Sequence, residues 1–560
     1  MNLNFLLFKQ FKLFKAKYIW ISLSFISIIF FFLITSLANS DLSEGRFSLF
    51  MDERLIFDGI ENILHANDFN NFLWTIFDGG DHRYGRILWN VTAFFSYYPE
   101  SILGSSGQIY ASRMVQAILI VISFGLLSIT FLKNWFLRFS LLTCLFSMPF
   151  TYYYASMPKP EPLQLLFLAI FLYYFNKKLM KLGGPYWIYL GLAFGTKISA
   201  LPLILIFMLF ACLNHYLNNN SDLIFDKIVY SIGFVLIGLA ISVPILFPNI
   251  ILSFIAYYVV KSFIYFKLKK YHWIYNILLI GSIGFLNFFI SYELYKNNII
   301  TGLAQWGGST FLKTGHGADI VNIGLIDWVH YFIFDWMQAP LIISISLILI
   351  AFILSYSIFV KELFLSKKIS YSPKIIPLVI FISGLALNFS IFISVQRIWG
   401  FYLFIGTALS LVGLLSIIEN FIVNDRTKTT DLTMSNQKPE YYFSFLALFL
   451  LVFMTNIWWL PSSIDHYKDL ANRTNNQHYL NEYKSYIQVK EYLFKYSNQQ
   501  KRRLHVSYDP SLFLPRNNEF YQINEFWGPF TNWESFPDVV IFSKNLKLRI
   551  YNPLLPESVE

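Results

Sequence analysis

The chain has 560 residues, of which 56% are hydrophobic, 20% aromatic and only 14% charged, and its mean hydropathy is +0.50. Such a chain has lipid as its main solvent, which excludes a soluble single-core protein. A formal charge of +10 would point to nucleic acid in a soluble protein, but here the lysines cluster in short loops between apolar runs. That is the positive-inside pattern, and no nucleic-acid partner is expected.

The N-terminal "MNLNFLLFKQFKLFKAK" carries Lys9, Lys12, Lys15 and Lys17. The following "YIWISLSFISIIFFFLITSLAN" supplies roughly 20 apolar residues, enough for a bilayer core of about 30 Å. No clear small-residue cleavage site closes the run, so it reads as a retained anchor rather than a cleaved signal peptide. Further apolar segments of spanning or near-spanning length lie near 113–132, 139–157, 161–176, 228–247, 250–266, 273–294, 338–360, 373–395, 399–419 and 441–460.

Residues 186–217 fit either one long tilted helix or two short helices meeting near "GTKIS" (195–199). With one helix, the lysine-rich "KSFIYFKLKKYH" (261–272) faces outward. With two, it faces inward together with "NKKLMKLGG" and "KELFLSKKISYSPK", and the positive-inside rule favours two. The expected fold is a polytopic α-helical membrane protein of about 13 transmembrane helices, N-terminus inside and C-terminus outside. Its membrane domain covers 1–460 and includes a large first outer loop (40–112) with amphipathic helices. Residues 461–560 read as a small soluble α/β outer domain, because the helix-like "NEYKSYIQVKEYLFKYS" precedes the β-branched runs "RRLHVSYDP" and "FPDVVIFSK". Cys144 and Cys212 lie in or beside apolar segments and support neither a disulfide framework nor a thiolate metal site.

On this topology nearly every unusual polar stretch falls on the outer face. Residues 40–81 hold nine acidic residues against two arginines, a net of −7. Much of that acidity is solvated. Asp52 and Glu53 stand out as adjacent acids at a membrane boundary ahead of the amphipathic "RLIFDGIENIL"; an acid in a partly desolvated cleft there can serve as general base.

"GDHRYGRILWN" (80–90) follows, with His82, Arg83 and Arg86 around Tyr84. Cations among aromatics at a membrane surface suit a lipid-linked phosphate, and they suit equally a snorkelling interfacial cluster. In "ASMPKPEPLQLLFL" (155–168) two Xaa-Pro steps bracket Lys159 and Glu161, either aiming two functional charges or making a tight turn with an exposed ion pair. Lys197 is a further cation, either a secondary site member or a residue that snorkels from a helix end.

In "WGGSTFLKTGHGADI" (306–320) the glycines allow close backbone approach, and Lys313 and His316 are placed to meet a phosphate. His316 and Asp319 have no third ligand nearby, and no metal is expected. Arg397, near Trp399 and Tyr402, either holds a phosphate or anchors its helix.

An N-terminal anchor, an outer loop starting "DERLIFDGI", then "YGRILWN" and the Arg-bearing "SRMVQAI", together resemble the polyprenyl-phosphate-sugar-dependent membrane glycosyltransferases of the GT-C superfamily. "YLGLAFGTKISALPLIL" (189–205) is similar to that superfamily's Gly-rich, Thr-Lys, apolar, Pro stretch, and "VQRIWGFYLF" (395–404) to its late Arg-then-Tyr helix. The tail echoes its small outer α/β domain. The closest branches are the protein O-mannosyltransferases and aminoarabinose transferases.

The resemblance implies a hexosyl- or pentosyltransferase that needs no cofactor beyond its donor substrate. Asp52, with Glu53 its neighbour, would deprotonate the acceptor. His82, Arg83 and Arg86 would hold the donor phosphate, with Tyr84, Lys159, Glu161, Lys197, Lys313, His316, Arg397 and Tyr402 as further site members. It implies inverting transfer to a lipid, glycan or protein acceptor. The Lys-Pro-Pro piece of some branches is replaced here by "RYGRILW", and no His-Pro precedes "DE", which leaves sugar and acceptor open.

The residue bias towards Lys, Asn, Ile and Phe points to a bacterial inner membrane, with the active site on the periplasmic side. Two other functions fit a polytopic chain: a transporter or flippase for a lipid-linked substrate, and a surface polysaccharide ligase or polymerase. One-sided polar chemistry and the early acidic loop weigh against them.

Overall fold

The computed structural model describes residues 51–77, 85–103, 105–217, 224–243, 341–364, 375–394, 400–426, 439–471, 477–508, 520–525 and 538–541. The expected anchor at 18–38 and the segments 250–266 and 273–294 lie outside the described residues, and with them the full count of thirteen.

The described chain is mostly helical. Its first part runs α1 (Met51–Leu64), α2 (Phe69–Phe77), α3 (Arg86–Leu103), α4 (Ser105–Phe131), α5 (Trp135–Ser147), α6 (Pro149–Ser156), α7 (Pro160–Lys177), α8 (Trp187–Thr196), a 3-10 turn Ile198–Ala200, α9 (Leu201–Leu217) and α10 (Ile224–Ser242). Then come α11 (Leu341–Phe364), α12 (Ile375–Ser394), a 3-10 turn Gly400–Leu403, α13 (Phe404–Arg426), α14 (Pro439–Met454), a π-helical turn Thr455–Trp459, α15 (Leu460–Ala471) and α16 (Gln477–Gln500). Four described helical runs are long and apolar enough to cross a membrane: Gly107–Phe131, Ile198–Tyr216, Phe404–Ile422 and Pro439–Asp465.

Two expectations about helix breaks meet the structure differently. The region 186–217 is two helices, as charge placement favoured, with Lys197 extended between them at φ −154°, ψ 133°. By contrast, the segment expected to be continuous over 139–157 is broken, because Pro149 cannot continue α5 and instead starts α6, while Met148 before it is extended at φ −61°, ψ 128°. Thr151 offsets part of the break by donating its hydroxyl to the Leu145 carbonyl at 2.6 Å.

Small residues let the helices approach closely, the usual device where lipid removes any hydrophobic drive between them. Gly191 and Gly195 on α8 face α10: a Cβ on Gly191 would come within 2.9 Å of the Val235 Cα, and one on Gly238 within 2.7 Å of the Leu192 nitrogen. The α12–α13 pair adds a buried hydrogen bond from Asn388 Nδ2 to Thr407 Oγ1 at 3.3 Å. Buried Glu419 on α13 accepts the Lys133 N–H at 2.9 and 3.0 Å and also the Asn134 N–H, capping the start of α5 from a distant part of the chain.

Beyond α16 three parallel strands, β1 (Leu504–Tyr508), β2 (Tyr521–Glu525) and β3 (Val539–Ile541), pair in the order β2-β1-β3. Leu493 of α16 packs with Leu504, Val506 and Tyr521 in a cluster separate from the main core. Asp538, before β3, accepts the His505 N–H at 2.7 Å and pairs with the Arg502 guanidinium. Burial alone pushes its carboxyl up, but the His505 N–H and Arg502 outweigh burial and hold it below the usual carboxylate range.

A lowered folded value means that Asp538 stabilises this unit above its unfolded pKa, and that the contribution is lost as pH falls through the lowered folded value. Protection of the β1 and β3 amides against hydrogen exchange, taken relative to the intrinsic rate at each pH, is therefore expected to fall at acid pH in the native protein. Asp538→Asn should show the lower protection already near neutrality and a flatter acid dependence; matching protection profiles would rule the linkage out.

Candidate functional site

The proline steps at 158 and 160 do what the sequence implied: Lys159 is extended at φ −146°, ψ 157°, and Pro160 starts α7 with Glu161 in its first turn. Helix α8 runs back alongside α7, as Tyr174–Tyr189 ring stacking at 6.1 Å and the Phe171–Trp187 contact at 5.3 Å show. The C-terminal end of α8 therefore meets the N-terminal end of α7. There Lys197 Nζ donates to Glu161 Oε1. The anion sits at a helix N-terminus and the cation at a helix C-terminus, so both macrodipoles favour the pair.

Gln164 holds this junction. Its amide donates to the Ala193 and Lys197 carbonyls at 3.0 and 2.7 Å, adding to the backbone N–H that each already accepts, and its oxygen accepts from Ser199 at 3.2 Å. Tyr402 arrives from the 3-10 turn before α13, with Lys197 Nζ 5.0 Å from its ring centroid. Tyr154 of α6 interacts with both Glu161 and Tyr402 and packs on Phe404 at 4.6 Å. Lys159 is buried beside them.

Of the residues singled out from sequence, the structure thus gathers Lys159, Glu161, Lys197 and Tyr402. Gln164 and Tyr154 join them without having been anticipated. Gly85 brings the start of α3 to the same junction, donating its N–H to the Thr196 carbonyl at 3.5 Å. The next residue, Arg86, is buried with its guanidinium donating to the Thr75 carbonyl and lying 4.6 Å over Trp89, which ties α2 to α3. Asp52 and Glu53 lie in the first turn of α1. His82, Arg83, Tyr84, Lys313, His316 and Arg397 lie outside the described residues.

Chemically, the described residues of the junction offer two lysines, Lys159 buried and Lys197 partly buried, the Glu161 carboxylate and two phenols within an apolar bundle. Among the described residues no group of three or more His, Cys, Asp or Glu side chains is arranged to hold a metal ion.

The class this fold defines is a polytopic helical membrane protein with a charged junction at the ends of packed helices. No protein-family model matches the sequence, and no curated protein does. Among solved structures, the archaeal oligosaccharyltransferase AglB from Archaeoglobus fulgidus, in complex with an inhibitory peptide and a dolichol-phosphate, aligns over 82% of this chain at 14% identity and a TM-score of 0.41. The chain spans 59% of that protein's length. So distant a likeness assigns no function, and the functional reading rests on the residues of the junction.

Proposed function

We propose that the protein is an integral membrane glycosyltransferase that moves a sugar from a polyprenyl-phosphate donor to an acceptor on the outer, periplasmic face of a bacterial inner membrane. The observation that supports this reading is the gathering of buried Lys159 and partly buried Lys197 with Glu161 and Tyr402 at the end of an apolar bundle. Ammonium groups beside aromatic rings at such a place can take an anionic group of a substrate. A phosphate carried on a lipid brings that anion to membrane depth.

In the proposed reaction an acceptor oxygen attacks the anomeric carbon as the bond from that carbon to the phosphate oxygen breaks. The electron pair leaves with the polyprenyl phosphate, and Asp52 takes the acceptor proton. Attack from the face opposite the phosphate inverts the anomeric centre. Lys159 and Lys197 stabilise the charge on the departing phosphate, so no strong general acid is needed. Glu161 keeps Lys197 in place.

The test is transfer of radiolabelled sugar from polyprenyl-phosphate donors to endogenous acceptors, in membranes carrying the native protein or Asp52→Asn at matched expression. Loss of a base is expected to slow transfer by about 10²- to 10⁴-fold with donor binding retained. Unchanged transfer would remove Asp52 from the mechanism. Absence of transfer by the native protein would overturn the enzymatic reading in favour of a transporter of a lipid-linked substrate.

A further inference from the structure

Several polar side chains in the bundle are more than nine-tenths buried and carry atoms with no hydrogen bond among the described residues. Two of them are Gln116, at both amide atoms, and Glu161, at Oε2. Enclosing such groups without partners is costly, and native folds rarely accept it without a use. The two residues lie far apart in sequence, on α4 and α7, and the bundle brings them to one level.

Two tie points set that level. Asn176 Nδ2, near the end of α7, donates to the Thr130 carbonyl near the end of α4 at 3.1 Å. At the other end, a chain of rings leads from Phe124 of α4 through Phe404 (6.1 Å) to Tyr154 (4.6 Å), which interacts with Glu161. Both conditions hold only if α4 and α7 run in the same direction. At 1.5 Å per residue, Glu161 lies about 22 Å back from Asn176, and the same distance back from Thr130 falls between Arg113 and Gln116.

The azimuth agrees. From Thr130, the buried residues Leu127, Ser123, Ile120 and Gln116 follow at three- and four-residue steps, one stripe of α4. Arg113, also buried, lies one further step along.

We propose that Gln116 and Glu161 form the seat for the hydroxyl groups of the transferred glycosyl unit. The inference rests on the glycosyltransferase reading and adds what the site recognises. An amide both donates and accepts, and a carboxylate oxygen accepts: together they complement neighbouring hydroxyls. A phosphate is the wrong occupant for this seat, since Glu161 repels it, and a cationic group is disfavoured by Lys159 and Lys197. The lysines take the anion while Gln116 and Glu161 Oε2 take the neutral polyol beside it.

The test uses the full chain in lipid nanodiscs, the native protein and Gln116→Met, an apolar side chain of similar shape. Affinity is measured for polyprenyl phosphate and for the same lipid carrying a hexose or a pentose. The native protein is expected to prefer a glycosylated lipid. Gln116→Met should bind the bare lipid as before and the glycosylated one about 5- to 100-fold more weakly. Its ligand-free melting temperature should equal or exceed the native value, because an unpartnered buried amide has been removed; this separates lost recognition from a failed fold.

If Gln116→Met keeps the native preference, or if the native protein binds bare and glycosylated lipid equally, the seam holds only water and this inference falls alone. If neither lipid binds the native protein, the glycosyltransferase reading falls and takes the seat with it.

Discussion

Lys197→Met is expected to destabilise the protein by about 3–5 kcal/mol, the usual cost of stranding one member of a buried pair. The abandoned partner is Glu161, whose side chain is only 6% exposed. The N-terminus of α7 softens the loss by about 0.3–1 kcal/mol without cancelling it. Glu161→Leu should cost less, since Lys197 is 18% exposed and its long stem can carry the ammonium towards water.

The double variant Lys197→Met, Glu161→Leu should recover most of the stability, because well-packed apolar side chains replace a buried pair at little or no cost. Transfer activity should follow a different order, with all three variants losing it and the double variant recovering none. Unfolding in detergent micelles alongside the transfer assay checks both. Strictly additive losses in stability would mean that the two charges are not coupled, and recovered transfer in the double variant would remove the pair from the site.

How far this junction could be read in the sequence follows from how local its causes are. The break at "GTKIS" and the extended Lys159 were legible because charge placement and Xaa-Pro sterics act within a few residues. The break at Met148 had a local cause too, in Pro149, but it lies inside an apolar run whose hydropathy does not change. Gln164 and Tyr154 carried no such signal: they sit in apolar segments, and only the packing of α7 on α8 brings Gln164 to the Lys197 carbonyl, as only the placing of α6 brings Tyr154 to Glu161 and Tyr402. Glu419 likewise looks like a residue at the end of an apolar run, yet its carboxylate caps a helix nearly three hundred positions earlier. The helices of this fold are written locally, whereas the site is written in contacts between them.

Gly85 is where those two levels meet, and Gly85→Ala is expected to be among the most damaging of small substitutions. A Cβ there would drive into the Gly195 carbonyl oxygen and come within 2.8 Å of the Ser242 carbonyl. Both are backbone atoms at the ends of α8 and α10, which the close approaches of Gly191 and Gly238 hold together, so neither can yield cheaply. Overpacking of this kind costs about 1–3 kcal/mol. The chemical consequence should be larger, because the Thr196 carbonyl that receives the Gly85 N–H immediately precedes Lys197. Misplacing a charge-stabilising group by about 1 Å can cost about 10²-fold in rate. Gly125→Ala is the matched control: it is also a glycine in the first half of the bundle, but a Cβ there meets nothing within 4 Å, and within α4 the change should stabilise by about 0.5–1 kcal/mol. Transfer rates and melting temperatures of the two variants decide the matter. Gly125→Ala should retain transfer and melt at or above the native temperature, while Gly85→Ala should lose most of its transfer even at temperatures where it remains folded. If Gly85→Ala keeps full activity, the start of α3 does not set the position of Lys197, and the contact between Gly85 and Thr196 is packing alone.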